Sequence, residues 1–218
     1  MSIVQKLTLV FFLSLFMSSS FIFDTQAAGK EGIMVKIPGG EFKSGKGNKT
    51  ANVKGFKIDK FEVTSAEFHK YDKDAEIPAG KGNHPVTEVS YFEAEGYCKS
   101  LGKRLPTKLE WEKAARGDKG WKYPWGNVHN PKNTNSQEAG VGGTAPVGSY
   151  EGGKSPYGVM DMSGNVWEWV NAWASADKKY RLVMGGSYFE DASRVTGYST
   201  LQSIPDDIHP YIGFRCAK

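Results

Sequence analysis

Cysteine is scarce in this 218-residue chain, which has two, Cys98 and Cys216. The N-terminal region holds neither, so no cysteine stands there to take a lipid anchor. Histidine is scarce too. His209 has no second histidine nearby to complete a metal site with Glu190, and His69, His84 and His129 read as surface or hydrogen-bonded residues. Positive charge is modest and scattered, +4 in all. That argues against a nucleic-acid partner and mainly favours solubility. A long membrane-crossing run is also lacking. The apolar stretch at residues 7–17 falls short of the roughly 20 residues a membrane span needs.

What the N-terminus does have is Lys6 ahead of that run and the small residues Ala27 and Ala28 behind it, the layout of a secretory signal. Residues 1–28 are therefore read as a removed signal peptide and 29–218 as the mature domain, exported to the periplasm or secreted. Removal takes one cation, Lys6, and one anion, Asp24, so the charge stays at +4. About 190 residues remain, enough for one domain with a real core. In an exported chain an even pair of cysteines reads as a disulfide before it reads as two free thiols.

Capping chemistry marks helix starts at Thr64, Ser90 and Thr107, each a hydroxyl three residues before a glutamate (Glu67, Glu93, Glu110). After the second start, Ala94, Tyr97, Cys98 and Leu101 follow the spacing of one buried face, and Gly102 is a stop. The third helix is expected over residues 108–116, with Trp111, Ala114 and Ala115 inward. Strand signals are short, at residues 34–37, 56–58, 182–184 and 213–216. Residues 117–160 show no sustained period and are rich in Gly, Pro, Asn and Ser. Trp121, Tyr123, Trp125, Val141 and Val147 give that long loop apolar groups to bury and argue for order. A bound ion would help hold so much irregular backbone.

The stretch Asp161-Met162-Ser163-Gly164-Asn165-Val166-Trp167-Glu168-Trp169 sets two carboxylates seven residues apart around a glycine turn. Calcium takes several oxygens, from carboxylates and from backbone carbonyls. Asp161 and Glu168 side chains with the Gly164 and Val166 carbonyls form such a set. The plainer alternative is a polar turn leading into a tryptophan-rich core.

This stretch, residues 102–117 with Arg104-Leu105-Pro106-Thr107 and Glu110-Trp111-Glu112, Tyr123-Pro124-Trp125-Gly126-Asn127, Gly185-Gly186-Ser187-Tyr188, Gly213-Phe214-Arg215 and the opening residues 34–42 resemble, in order, the blocks of the sulfatase-modifying-factor family. Its founding members are formylglycine-generating oxidases. The resemblance implies an α+β, C-type-lectin-like fold with little regular secondary structure, long ordered loops and calcium stabilisation. It also implies a Cys98–Cys216 bridge, which the loop-entropy model values on the order of 4–5 kcal/mol. A second calcium site is implied at Asn135 and the Ser136 and Val141 carbonyls, but the family aspartate falls on Ala139, with Glu138 adjacent as a substitute.

The oxidases bind copper(I) through two cysteines just beyond the Gly185-Gly186-Ser187-Tyr188 block. Here the matching positions are Glu190 and Val195, and carboxylates do not replace soft thiolates in that role. No copper is expected. The cleft candidates are Ser187, Tyr188, Glu190, Asp191 and Arg194, either an acid-base set or a solvated loop with an Asp191–Arg194 pair. Trp121, Trp125, Trp167, Trp169 and Trp173 are read as core, or as a platform for sugar rings. Two functions follow: a calcium-binding, non-oxidase binding or accessory domain for a protein, peptide or glycan, or a divergent exported enzyme performing oxidative tailoring of a peptide or peptide-derived metabolite.

Overall fold

The computed structural model describes residues 32–218. The expected signal segment at residues 1–28 and the three residues after it lie outside the described residues. Among the described residues, three short α-helices and eight short strands are joined by long irregular connections. Strand β1 (Met34–Ile37) pairs antiparallel with β4 (Phe56–Asp59), and between them β2 (Gly40–Ser44) and β3 (Lys49–Val53) form a hairpin. Helices α1 (Ser65–Tyr71), α2 (Tyr91–Ser100) and α3 (Lys108–Arg116) follow. The largest sheet, of four strands, runs in the order β7 (Thr200–Ser203), β6 (Arg181–Met184), β5 (Trp167–Trp173), β8 (Ile212–Gly213), with β8 parallel to β5.

All three helices begin where capping chemistry places them, with both halves of the box made. At α2, Glu93 N donates to Ser90 Oγ (3.2 Å) and Ser90 N donates to Glu93 Oε2 (2.7 Å). Such a cap contributes about 1 kcal/mol. Ala94, Tyr97 and Cys98 are buried as expected, but Leu101 is exposed. It is the C-cap, with φ −96° and ψ 10°, so it has left the helical face.

The tryptophan-rich segment is β5, which the sequence reading left without a strand. Trp167 and Trp169 enter one core cluster and Val170 the other, so the strand is covered on both faces. The first cluster gathers Phe68, Tyr97, Phe214 and the two half-cystines, and the second gathers Ile58, Trp111, Ala114, Ala115 and Met184. Helix α3 also buries Glu112, Lys113 and Arg116. The β2–β3 hairpin lies over its outer side: Arg116 Nη1 donates to the Lys43 carbonyl at 3.1 Å, its Nη2 donates to Asn48 Oδ1 at 2.8 Å, and Glu112 accepts from Ser44 Oγ at 2.7 Å.

Cys98 and Cys216 form a disulfide, Cα–Cα 5.6 Å, between positions 118 apart in sequence. The expected terminal strand over residues 213–216 is shorter than predicted. After β8 the chain runs on as single bridges, because it threads between β4 and the strand-like Arg104: Ala217 exchanges backbone hydrogen bonds with Arg104, and Lys218 with Lys57. Residues 117–160 carry only three 3-10 turns, at Pro131–Asn133, Gln137–Ala139 and Glu151–Gly153. Tyr123 and Val147 anchor the stretch by burial, while Val141 is exposed between Gly140 and Gly142, both at positive φ.

Candidate functional site

The turn leading into β5 is built by left-handed backbone at Asp161 (φ 58°), Gly164 (φ 75°) and Asn165 (φ 65°). Gly164 must be glycine. A Cβ there would stand 2.3 Å from the Asn135 carbonyl oxygen and 2.5 Å from Thr134 Oγ1. The asparagine tolerates the left-handed region and uses its whole amide. Its Nδ2 donates to Glu62 Oε2 at 2.7 Å, and its Oδ1 accepts from Ala145 N at 2.8 Å and Asn135 Nδ2 at 3.0 Å.

Glu168, fully buried on β5, accepts both arms of a bidentate clamp from Arg215, Nε to Oε2 and Nη2 to Oε1, each 2.7 Å, and a third bond from Trp111 Nε1 at 2.8 Å. Asp161 Oδ2 accepts from Gly148 N at 2.6 Å. Sequence reasoning missed the third carboxylate, Glu62, which is 1% exposed and whose Oε1 is buried with no hydrogen-bond partner. Burial, then the charges of Asp161 and Glu168, push its carboxyl well above the usual range.

Glu62, Asp161 and Glu168 thus face one guanidinium, that of Arg215. Burial and the two neighbouring carboxylates therefore disfavour a third negative charge at Glu62. An orphaned buried oxygen such as Glu62 Oε1 is costly to leave unpaired. Among the described residues no three His, Cys, Asp or Glu side chains converge at ligating range. Of the expected calcium ligands Asp161, Gly164, Val166 and Glu168, the last has both carboxylate oxygens taken by Arg215 and Trp111.

The second expected site divides. Asn135 Oδ1 is buried without a partner. The Ser136 carbonyl, however, accepts from Ala139 N at 3.0 Å, and Val141 lies at the surface. Glu138, beside the missing aspartate's position, is engaged within the fold: its Oε1 accepts from Ala192 N and its Oε2 from Ser136 Oγ, both 2.7 Å. It holds the loop carrying the cleft candidates instead.

That loop, residues 187–197, is fixed from several sides. Gln137 N donates to the Glu190 carbonyl (2.9 Å), Tyr123 Oη to the Ala192 carbonyl (2.7 Å), Ser163 Oγ to the Val195 carbonyl (2.6 Å) and Gly197 N to the Lys122 carbonyl (3.0 Å). The expected Asp191–Arg194 pair is replaced by Glu190–Arg194, Oε2 to Nε 2.7 Å. Trp167 Nε1 donates to Glu190 Oε1 at 3.2 Å. Asp191 is instead occupied by its own turn, accepting from Ser193 N and Oγ at 2.7 and 2.6 Å. Ser187 is buried, Tyr188 half-buried, and Phe189 between Tyr188 and Glu190 is 72% exposed. Val195 is fully buried. His209 stacks on Tyr211, ring centroids 5.2 Å apart, and joins no ligand cluster. Trp167 and Trp169 are core, while Trp121, Trp125 and Trp173 are half-buried.

The sulfatase-modifying factor enzyme 1-like domain matches residues 21–218 of this chain. The chain is similar to the inactive C-alpha-formylglycine-generating enzyme 2 of Bos taurus, with 32% identity over 85% of this chain and 87% of that protein. It is also similar to the formylglycine-generating enzyme of Mus musculus, 35% identical over 63% of this chain and 45% of that protein. Among solved structures, Treponema denticola variable protein 1 superposes with a TM-score of 0.75 at 19% identity, covering 84% of this chain and 94% of its own. PvdO from Pseudomonas aeruginosa superposes at 0.70 and 23%, covering 84% and 93%. These structures share the fold. With a match running to the last residue and a relative aligned over most of both chains, this chain belongs to the sulfatase-modifying factor family.

Proposed function

We propose that the protein is an exported, calcium-stabilised binding or accessory domain and not a formylglycine-generating oxidase. The observation that carries this is the loop at residues 187–197. Where the oxidases are expected to present two thiolates, Glu190 is tied to Arg194 and Trp167, and Val195 is sealed in the interior. Both cysteines are consumed by the disulfide, and no free cysteine exists among the described residues. The carboxylates of the loop are engaged locally, Glu190 with Arg194 and Trp167 and Asp191 with Ser193. A rigidly held loop displaying Phe189 beside an ion pair suits recognition, because little ordering entropy is lost on binding. The burial of Trp167 and Trp169 favours a peptide or protein ligand over stacked sugars. The disulfide agrees with an oxidising, exported location.

Two measurements test the reading. Incubation with a cysteine-containing sulfatase peptide and copper, followed by mass spectrometry, is expected to leave the thiol intact; conversion to the aldehyde would refute the non-oxidase assignment. Chelation is expected to lower the melting temperature, and added calcium to restore it, since an ion bound only by the native state stabilises by mass action. At a free concentration 100 times its Kd the ion contributes about 2.7 kcal/mol, or roughly 5–11 °C for a domain of this size. A melting temperature indifferent to chelator would remove calcium from the account.

A further inference from the structure

We propose that the lysine-rich outer face of the N-terminal strands, centred on Lys36, Lys57 and Lys218, seats the domain on an anionic membrane surface. The choice of a membrane as partner rests in part on the exported reading; the charge itself does not.

The modest positive charge of the chain is unevenly placed. Residues 32–60 hold seven lysines against Glu41 and Asp59, a net +5 in a chain whose total is +4, so the remainder sums to −1. Lys36, Lys43, Lys46, Lys49, Lys54 and Lys57 are all exposed, and none makes an ion pair among the described residues. Of the two acids, Asp59 is already paired with Lys103 at 2.7 Å, which leaves Glu41 as the one exposed carboxylate of the stretch.

Strand register builds a row from them. Lys36 on β1 stands directly opposite Lys57 on β4, and Lys57 in turn exchanges both backbone hydrogen bonds with Lys218, 2.8 Å each way. Residues directly opposite one another share a face, and the neighbours Ile37, Ile58 and Ala217 take the core side. The three lysines therefore point outward together, about 5 Å from strand to strand. Like charges so placed are destabilising, and an α-carboxylate at Lys218 offsets only one of the three. A lysine on an edge strand guards it against pairing, but Lys57 lies on the middle strand, with a paired neighbour on each side, and has no edge to guard.

All six exposed cations of the stretch are lysine. The ammonium is a hydrated point charge on a flexible stem, whereas recognition of one phosphate or carboxylate favours the planar fork of arginine. Lysines spread over a face fit an extended field of negative charge, and each one near an anionic leaflet adds to the attraction. Strand β1 is also the first element after the apolar run at residues 7–17, which on the exported reading is the part handed to the bilayer. The lysine-bearing strands are thus the part of the domain closest along the chain to lipid. Ile33, 41% exposed just before β1, adds an apolar side chain at that end.

The test is co-sedimentation of protein from the exported fraction with vesicles of phosphatidylcholine alone, or with about 30% phosphatidylglycerol, at about 50 mM and about 500 mM salt. Binding is expected to the anionic vesicles only, and to be lost at the higher salt. Lys36→Gln with Lys57→Gln should weaken it about 30-fold, the share of two lysines in such an attraction. Lys132→Gln with Lys179→Gln removes the same charge from exposed positions elsewhere and should weaken it less than about threefold. Equal binding to neutral vesicles, no binding at the lower salt, or equal losses in the two double variants would each overturn the proposal. So would a short DNA duplex retained as tightly as the anionic vesicles, which would make the face a general polyanion site. If Lys36→Gln with Lys57→Gln does not fold, Lys36→Gln with Lys54→Gln takes its place. Recovery of the protein from the cytoplasm would refute export and leave the vesicle result standing.

Discussion

Arg215→Met is expected to cost the fold about 3–5 kcal/mol, the usual penalty for stranding a buried charge, and to lower the melting temperature by roughly 6–20 °C. The reason is the imbalance around β5. Arg215 is fully buried and supplies both hydrogen bonds that neutralise Glu168, while its Nη1 also donates to the Asp59 and Lys60 carbonyls at 3.3 and 3.2 Å. Glu62 and Asp161 share its field. Removing the cation leaves three acidic groups facing one another. The reverse change, Glu168→Gln, leaves Arg215 with Glu62 and Asp161 still near, and is expected to cost less. Urea unfolding of the two variants checks both magnitude and order. A Glu168→Gln variant as damaged as Arg215→Met would show that the geometry of the clamp matters and the charge imbalance does not.

Loss of the disulfide is expected to have an effect of similar size. The bridge joins positions 118 apart, and for a loop that long the chain-entropy model gives on the order of 4–5 kcal/mol. Both sulfurs lie in the core cluster of Tyr97, Phe68 and Phe214, so replacement by Cys98→Ala with Cys216→Ala also leaves a small void. The double variant should melt about 10 °C or more below the native protein. Reduction of the native protein should lower its midpoint comparably, but slowly, because the bond is reached only after unfolding. A change below about 1 kcal/mol in chemical denaturation, half the usual minimum for a small secreted domain, would mean that the denatured chain is already constrained without the bridge.

How much of this was legible depended on how local the signal was. The helix starts at Thr64, Ser90 and Thr107 were readable because a capping box lies within four residues and needs no partner elsewhere. The disulfide was readable because there were no other cysteines to choose from. Strand β5 was not, because burial of both faces erases the alternation that marks a strand: Trp167, Glu168, Trp169 and Val170 are all interior. The β2–β3 hairpin was lost for the opposite reason, being mostly exposed lysine, glycine and asparagine. In the site, Asp161 and Glu168 could be found from one stretch of chain. Glu62 lies about a hundred positions away, and its signal was slight, a carboxylate between Phe61 and Val63. Glu138 was adjacent to the expected ligand position, but only the fold reveals that Ala192 has claimed it.

Residues 214–218 tie together parts of the chain that are distant in sequence. Phe214 accepts from Val63 N, Arg215 clamps Glu168, Cys216 bonds to Cys98, Ala217 joins Arg104 and Lys218 joins Lys57. Each of these partners is synthesised long before the residue that completes it. A chain lacking residues 214–218 cannot close the structure around α1, α2 and α3, and helices of 7, 10 and 9 residues are too short to persist without that packing. Closure of the domain therefore waits on contacts between positions far apart in sequence, which the entropy of loop closure makes slow to form.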